Sequence, residues 1–194
     1  MPRGIASLTL ALAVIGCSAG RDFVRPDSHT EVIGKTTLRD VVAKYGEPRR
    51  QGTALKNGIS VKSVSYTYAT AMPYVDDVPV KGAGFHFVDD VLVGFDFTSS
   101  FKDDMTKFDH SKVPLVRDGQ TTRADVLALL GRPGGTYTYP LVKGKEDLGL
   151  VYSFVDATRT PFVPGIRTLR RTLVISVNPA GVVSDVSYTE SEGK

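Results

Sequence analysis

The sequence predicts an α+β fold made of two tandem repeats, each a short helical segment packed on a three-stranded antiparallel sheet. A fifteen-residue segment occurs twice, at residues 34–48 and 119–133, and eight of its fifteen positions are identical without a gap. Each copy is followed by three runs in which apolar and polar residues alternate, as in half-buried strands. The order helix, strand, strand, strand therefore occurs twice, and this order is typical of α+β folds rather than of alternating βαβ units.

Each copy of the repeated segment carries the start and stop signals of a short helix. In the first copy, Thr37 can cap the helix N-terminus and Asp40 can bond back to it as a capping box. Residues 38–45 provide one apolar face, Gly46 can adopt the left-handed conformation that ends a helix, and Pro48 prevents its continuation. We therefore predict a helix of about nine or ten residues in each copy. The corresponding signals in the second copy are Thr122, Asp125, Gly131 and Pro133.

Three strands are expected after each helix, and the last two of each set form a hairpin. Proline-containing loops at residues 72–79 and 160–165 separate the first strand of each set from its hairpin. One face of each sheet is expected to pack against the helices. The short stretches 28–33 and 109–116 are compatible with either a weaker helix or an extended entry. The predicted strands are residues 61–70, 84–88 and 91–98 in the first repeat and residues 148–155, 168–177 and 182–189 in the second.

The N-terminal segment resembles the signal sequence of a bacterial lipoprotein. Arg3 supplies a positive charge, and residues 5–15 form an almost wholly apolar run. This run is shorter than the roughly 20 residues of a membrane-spanning helix and is typical of a secretory signal peptide. Residues 14–17, Val-Ile-Gly-Cys, resemble the lipobox, which implies cleavage before Cys17 and attachment of lipid to its thiol. The alternative is an ordinary signal peptide that happens to contain a cysteine.

The remaining composition is compatible with a lipid-anchored chain. Cys17 is the only cysteine, so no disulfide is expected in the mature protein. Loss of Arg3 with the signal peptide lowers the formal net charge from +3 to +2, which gives no argument for nucleic-acid binding. Ser18 resembles the sorting residue of lipoproteins sent to the outer membrane, so we expect an outer-membrane location facing the periplasm. The predicted organisation is a signal peptide at 1–16, a lipidated tether at 17–27, and repeats at 28–105 and 106–194.

The repeated motif resembles that of a known family. The pattern Gly-x-Thr-Thr-x-x-Asp-Val-x-x-x-x-Gly-x-Pro, after a lipoprotein signal and before three strands, is similar to the SmpA/OmlA (BamE-like) family of outer-membrane lipoproteins. Two copies in tandem also resemble the architecture of β-lactamase-inhibitor protein, whose units have the same helix-and-antiparallel-sheet plan. The resemblance covers nearly all of the mature chain and implies a non-enzymatic role in binding or scaffolding proteins of the cell envelope.

No pattern in the sequence points to catalysis or to metal binding. His29, His86 and His110 are expected to be isolated, and His86, which lies between two phenylalanines, is expected to point away from the apolar face of its strand. None of the three has a partner at metal-ligand spacing. Residues 131–135 are glycine-rich, but they end a helix instead of opening one. We therefore expect no enzyme, no metal site and no cofactor apart from the covalent lipid on Cys17.

The best candidates for partner binding are apolar residues of the two proline-containing loops and a group of arginines in the second repeat. Proline lowers the entropic cost of fixing a loop, and aromatic residues dominate many interfaces. The arginines could contact an anionic lipid or an acidic partner. Alternatively, the loops cover their own sheets and the arginines form a solvated strand face. The candidate residues are Met72, Tyr74, Val75, Phe162, Val163, Ile166, Arg167, Arg170 and Arg171.

These patterns favour a lipid-anchored envelope protein that acts as a protein-interaction or scaffold module, for example in outer-membrane assembly or integrity. Two alternatives stay open. One is an inhibitor-like binder of a periplasmic or secreted enzyme, and the other is a structural lipoprotein associated with lipid or cell wall. The expected partners are an envelope protein and, through the lipid anchor, the membrane.

Overall fold

A computed structural model describes residues 17–71, 75–159 and 165–193, in which nine β-strands form one antiparallel sheet. The strands are β1 (Cys17–Ala19), β2 (Arg50–Lys56), β3 (Ile59–Ala71), β4 (Val80–Val88), β5 (Val91–Ser99), β6 (Gly135–Tyr137), β7 (Leu148–Arg159), β8 (Ile166–Val177) and β9 (Val183–Gly193). Their order across the sheet is β1-β3-β4-β5-β6-β7-β8-β9, and β2 pairs with the part of β3 that β1 leaves free. Residues 1–16, the expected signal peptide, lie outside the described residues.

The helix prediction is confirmed in both copies of the repeated segment. Helices α1 (Leu38–Tyr45) and α2 (Arg123–Leu130) have eight residues each, slightly fewer than predicted. In both, the threonine hydroxyl accepts the N–H of the aspartate at 3.2 Å, and the aspartate carboxylate accepts the N–H of the threonine at 2.9 Å. Gly46 and Gly131 end the helices with φ of 83° and 77°, a conformation that favours glycine. A 3₁₀ helix, His110–Leu115, precedes α2.

The prediction of an α+β fold with two separate three-stranded sheets is wrong. The described chain is predominantly β, and the short strand β6 joins both sets of strands into one sheet. Thr136 of β6 pairs with Phe95 of β5 on one side and with Leu150 of β7 on the other. Without β6, two facing strand edges would expose unpaired backbone groups, which proteins avoid.

Each of the six predicted strands corresponds to an observed one, and all six observed strands are longer. Asp89 and Asp90 form the predicted turn of the first hairpin, with φ of 48° and 63°. Strands β1, β2 and β6 were not predicted. For β2 the sequence held a signal, because the dipeptide Asn57-Gly58 is a strong marker of a hairpin turn. Both of these residues have positive φ in the turn between β2 and β3.

Both helices pack on the same face of the sheet, over two separate hydrophobic clusters. Residues paired across neighbouring strands point to the same face. The register of β6 therefore places Phe95, in the cluster under α1, on the same face as Leu150, in the cluster under α2. The opposite face of the sheet carries no helix among the described residues. The buried helix residues are Val41 and Tyr45 in α1 and Val126 and Leu130 in α2.

Residues 17–27, the segment expected to be a tether, run against the sheet. Cys17 is opposite Ala71 in the pairing of β1 with β3, at the end of the sheet. Phe23 is buried in the aromatic cluster under α1. Within the part of the chain that the structure describes, no helix has the length and apolar character needed to cross a membrane.

Candidate functional site

The sheet face opposite the helices holds an open groove of about 550 Å³. Its floor consists of small and polar residues, because every second residue of β3, β4 and β5 points to this face. Two of them, Gly82 and Gly84, have no side chain, which deepens the groove beside their pairing partners Thr67 and Ser65. The floor residues are Ser63, Ser65, Thr67, Gly82, Gly84, His86, Asp96 and Thr98.

Arginine side chains line both sides of the groove. Arg50 of β2 pairs with Ser65 of β3, so its side chain lies on the groove face. Arg49, just before it, lines the same side. Arg170 of β8 lines the groove from the second repeat. The groove is therefore built from both halves of the chain.

Arg170 reaches the groove because the two halves of the sheet meet closely beyond the end of β6. At this seam the Thr106 hydroxyl accepts the N–H of Ser99 at 2.9 Å and donates to the carbonyl of Ser153 at 2.6 Å. One hydroxyl thereby links β5 to β7 where no strand lies between them. Arg170 pairs with Val155, two residues beyond Ser153, so this link positions the second wall of the groove.

Four polar side chains form a hydrogen-bonded network at the floor. The two ring nitrogens of His86 lie 2.8 Å from Ser63 Oγ and 3.1 Å from Asp96 Oδ2. Tyr137 donates to the same Asp96 oxygen at 2.8 Å, and its ring meets the His86 ring edge-on. Burial raises the pKa of Tyr137 well above its ordinary value, and the Asp96 carboxylate raises it further. The phenol therefore remains a donor at neutral pH and fixes the network.

The series Ser63, His86 and Asp96 contains the residue types of a hydrolytic triad. Catalysis by such a triad also needs donors placed to stabilise the oxyanion of the transition state. Ser63 lies within β3, with Gly52 and His86 as its pairing partners on the two sides. Its backbone groups therefore belong to the sheet ladder. The network therefore fixes the side chains of Ser63, His86 and Asp96 on the groove floor.

The groove has a positive charge balance. Asp96 is the only acidic residue among those that line it, and its carboxylate is already hydrogen-bonded within the network. The groove is also lined by three positively charged arginines, Arg49, Arg50 and Arg170. Because a concave surface lined by one sign of charge attracts the opposite sign, the groove favours an anionic group.

The described parts of the two proline-containing loops meet at one end of the sheet. Arg159 donates its N–H to the carbonyl of Asp76 at 2.8 Å, and it pairs with Ile166. Val75 and Ile166 are 44% and 42% exposed, so both are accessible to a partner. This is also the sheet end at which β1 begins. The other predicted loop residues, Met72, Tyr74, Phe162 and Val163, lie outside the described residues.

The three arginines that were predicted as one group do not share a face of the sheet. Successive residues of a strand point to opposite faces, so Arg170 lines the groove while Arg167 and Arg171 point to the helix side. Arg171 Nε lies 2.7 Å from Glu190. Of the predicted candidates that the structure describes, only Arg170 lines the groove.

Most groove residues were missed at the level of the sequence. The expectation that His86 is isolated is wrong, because Ser63 and Asp96 engage both of its ring nitrogens. The expectation that His86 points away from the apolar core is confirmed, since it faces the groove. Polar residues alternate with buried apolar ones along residues 63–67, and this alternation was the one local signal of a polar sheet face.

No family model matches the chain, and no curated protein matches it either. The similarity to the SmpA/OmlA family therefore rests on the repeated motif alone. Among solved structures, the chain is similar to a protein of Streptococcus mutans described as a "putative beta-lactamase inhibitor protein", with a TM-score of 0.39 and 11% sequence identity. That match covers 86% of this chain and 90% of the other.

Proposed function

We propose that this protein is a lipid-anchored component of the bacterial cell envelope that binds another protein through the groove. The observation that carries the proposal is an open, cationic groove of about 550 Å³ on the helix-free face of the sheet. The network around His86 holds its floor in place, and a preorganised surface loses less conformational entropy on binding. The absence of side chains at Gly82 and Gly84 lets a partner chain approach the sheet backbone.

The anchor is proposed from the N-terminal sequence. A short apolar run followed by the lipobox-like residues 14–17 supports cleavage before Cys17 and lipidation of that residue. Ser18 supports sorting to the outer membrane. Cys17 is opposite Ala71 at the end of β3. A lipid on Cys17 therefore leaves the domain at the sheet end that carries the proline-containing loops.

The groove supports two related roles. As a scaffold, the protein would hold an envelope partner in place, and a contribution to outer-membrane assembly or integrity is one form of that role. As an inhibitor, it would cover a surface of a periplasmic or secreted enzyme. The identity of the recovered partner separates the two.

Affinity purification of the lipidated protein from crosslinked cells tests the proposal. The double variant Arg50→Glu/Arg170→Glu reverses the charge on both sides of the groove. We expect it to recover at least about tenfold less partner, because like charges across an interface are strongly unfavourable. The control is Arg39→Glu, which makes one such charge reversal at an exposed residue of α1 on the other side of the sheet. A third variant, Val75→Asp/Ile166→Asp, tests the loop end of the sheet.

Each outcome of this experiment has a definite meaning. One envelope protein recovered with the wild type and with Arg39→Glu, and lost in the groove variant, supports the proposal. Loss confined to the Val75→Asp/Ile166→Asp variant would place binding at the loops and contradict a role of the groove. Recovery of no partner with any variant would contradict protein binding and favour a lipid- or cell-wall-associated role.

A further inference from the structure

The groove arginines are not paired with Asp96, the one carboxylate among the residues that line the groove. Arg49, Arg50 and Arg170 form no salt bridge with any described residue. Arg171, adjacent to Arg170 on the opposite face, is held by Glu190 at 2.7 Å. A guanidinium group favours planar, bidentate pairing with a carboxylate. The groove arginines are therefore available to a carboxylate supplied by a partner.

We propose that the partner enters the groove as an extended acidic segment, with one aspartate or glutamate carboxylate paired with Arg50 and another paired with Arg170. This inference rests on the protein-binding function proposed above and names the chemistry of the segment that is bound. The two arginines come from β2 and β8, on different sides of the groove floor. A segment that crosses the floor can therefore present one carboxylate at each side.

The floor also contains a buried threonine beside Gly82. Thr98 is 2% exposed, and its hydroxyl has no hydrogen-bond partner among the described residues. A buried hydroxyl without a partner is unfavourable. Thr98 pairs with Gly82, which leaves space beside it because it has no side chain. The atom of Thr98 that faces this space is its methyl carbon Cγ2, so the floor there offers an apolar contact to a bound segment.

The shape of the groove favours a peptide chain over a single phosphate group. A phosphate is best held by donors that converge on one point, whereas Arg49 and Arg50 lie on one side of the floor and Arg170 on the other. The floor runs across three neighbouring strands, β3 to β5, which are about 4.8 Å apart. An extended chain crossing them can place successive carboxylates at different arginines.

Binding of labelled peptides to the full lipidated protein in detergent micelles tests the inference. The probe is a short peptide of alternating glycine and glutamate, and its comparison is the same peptide with glutamine in place of glutamate. We expect the glutamate peptide to bind at least about tenfold more tightly, because a charge-assisted pair is roughly twice as strong as a neutral one. Raising the salt concentration should weaken its binding.

Variants of neighbouring arginines separate the groove from the general surface. Arg170→Gln is expected to weaken binding of the glutamate peptide by about tenfold or more. Arg171→Gln is the matched control, because it makes the same chemical change one residue further along β8, on the opposite face. It is expected to leave the affinity unchanged.

A variant of the floor tests shape without changing charge. A Cβ atom at Gly82 would lie 3.4 Å from Thr98 Cγ2, an ordinary contact, so valine should fit the strand there. We expect Gly82→Val to fill the floor and weaken peptide binding. Thr53→Val, on the exposed side of β2, is the control for adding a valine to the sheet. A circular dichroism spectrum matching that of the wild type confirms that each variant is folded.

Three results would overturn the inference: equal affinity for the glutamine peptide, equal weakening by Arg171→Gln, or displacement of the peptide by inorganic phosphate at an equal concentration. Its failure can be told apart from failure of the proposed function. A partner that is recovered from cells only with an intact groove, but whose crosslinked segment is not acidic, contradicts the inference and leaves the function standing. Peptide binding at the groove, combined with recovery of no partner from cells, contradicts the proposed function and leaves the inference standing.

Discussion

The two repeats share a hydrogen-bonded frame around their helices but fill it with different side chains. Gly34 and Gly119, which open the repeated segments, donate their N–H groups to a carbonyl of the hairpin at 2.9 Å and 2.8 Å. Tyr66 and Tyr152 each donate the hydroxyl proton to the carbonyl of the glycine that ends the helix, both at 2.9 Å. The frame is therefore set by a few glycines, caps and tyrosines.

Beside the helix, the first repeat has a polar cluster where the second has only apolar side chains. Glu31 is 2% exposed and is paired with Lys44. It also accepts the hydroxyl of Tyr45 at 2.8 Å. The residues 85 positions later, at the same three places, are Val116, Leu129 and Leu130.

This difference shows that one backbone frame can be held together by two kinds of contact. Burial raises the pKa of Glu31, but hydrogen bonds from Lys44, Thr30, the backbone of Asp27 and Tyr45 outweigh it and hold the pKa below its ordinary value. A buried carboxylate is tolerated only while such partners remain. The first repeat should therefore depend on the charge of one residue, and the second should not.

The largest expected effect comes from removing that carboxylate. Glu31→Ala leaves the buried Tyr45 hydroxyl and several other donors without an acceptor, so we expect the free energy of unfolding to fall by about 3 kcal/mol. Val116→Ala, a truncation to alanine at the matching site of the second repeat, removes only apolar contacts and should cost less, about 2 kcal/mol. Urea unfolding measures both. A smaller loss for Glu31→Ala than for Val116→Ala would contradict the difference between the repeats.

The seam between the repeats should be nearly as sensitive. Thr106→Val removes the hydroxyl that joins Ser99 to Ser153. We expect a loss of about 2 kcal/mol, since two backbone groups lose their partner. Thr98→Val is the control, because the hydroxyl it removes has no partner among the described residues, and it should be neutral or slightly stabilising. Equal shifts of the thermal midpoint in the two variants would show that the bridging hydroxyl does not hold the seam.

The helix caps should contribute equally to stability in the two repeats. Thr37→Ala and Thr122→Ala each remove a capping hydroxyl with the same bond lengths, and each should cost about 1 kcal/mol. We expect the two losses to agree within about 0.5 kcal/mol, the usual error of such comparisons. The same urea unfolding experiment measures both losses. A larger difference between them would mean that the two caps do not stabilise their repeats equally.

The smallest expected effect is a change of slope in the dependence of stability on pH. The pKa of Glu31 is lower in the folded chain than its ordinary value of 4.5. Its contribution is therefore complete above the unfolded value and is lost as the pH falls through the folded value. Between about pH 5 and pH 3 the wild type should lose stability more steeply than Glu31→Gln. Parallel curves would contradict this role, since the other carboxylates are common to both proteins.

What the sequence predicts correctly is local. The caps of both helices lie within fifteen residues, and the hairpin turns lie between adjacent strands, so short windows contain all the information needed. The single sheet depends instead on β6, which has three residues and begins with glycine. Such a strand has no pattern of its own and exists because β5 and β7 both pair with it.

The groove could not be predicted from the sequence for a similar reason. Its lining runs from Arg49 to Arg170 and becomes a surface only when strands of both repeats lie side by side. His86 was visible as a histidine on a polar strand face. Its partner Ser63 lies 23 residues earlier, and only the strand register brings the two together.

Photocrosslinking in living cells tests the groove most directly as the place where a partner binds. A photoreactive amino acid is introduced at Thr67, an exposed residue of the groove floor, or at Arg39, an exposed residue of α1. We expect irradiation to attach one envelope protein at position 67 and nothing at position 39. Adducts at position 39 with none at position 67 would show that the partner binds the helix side, and the groove would then have no part in binding.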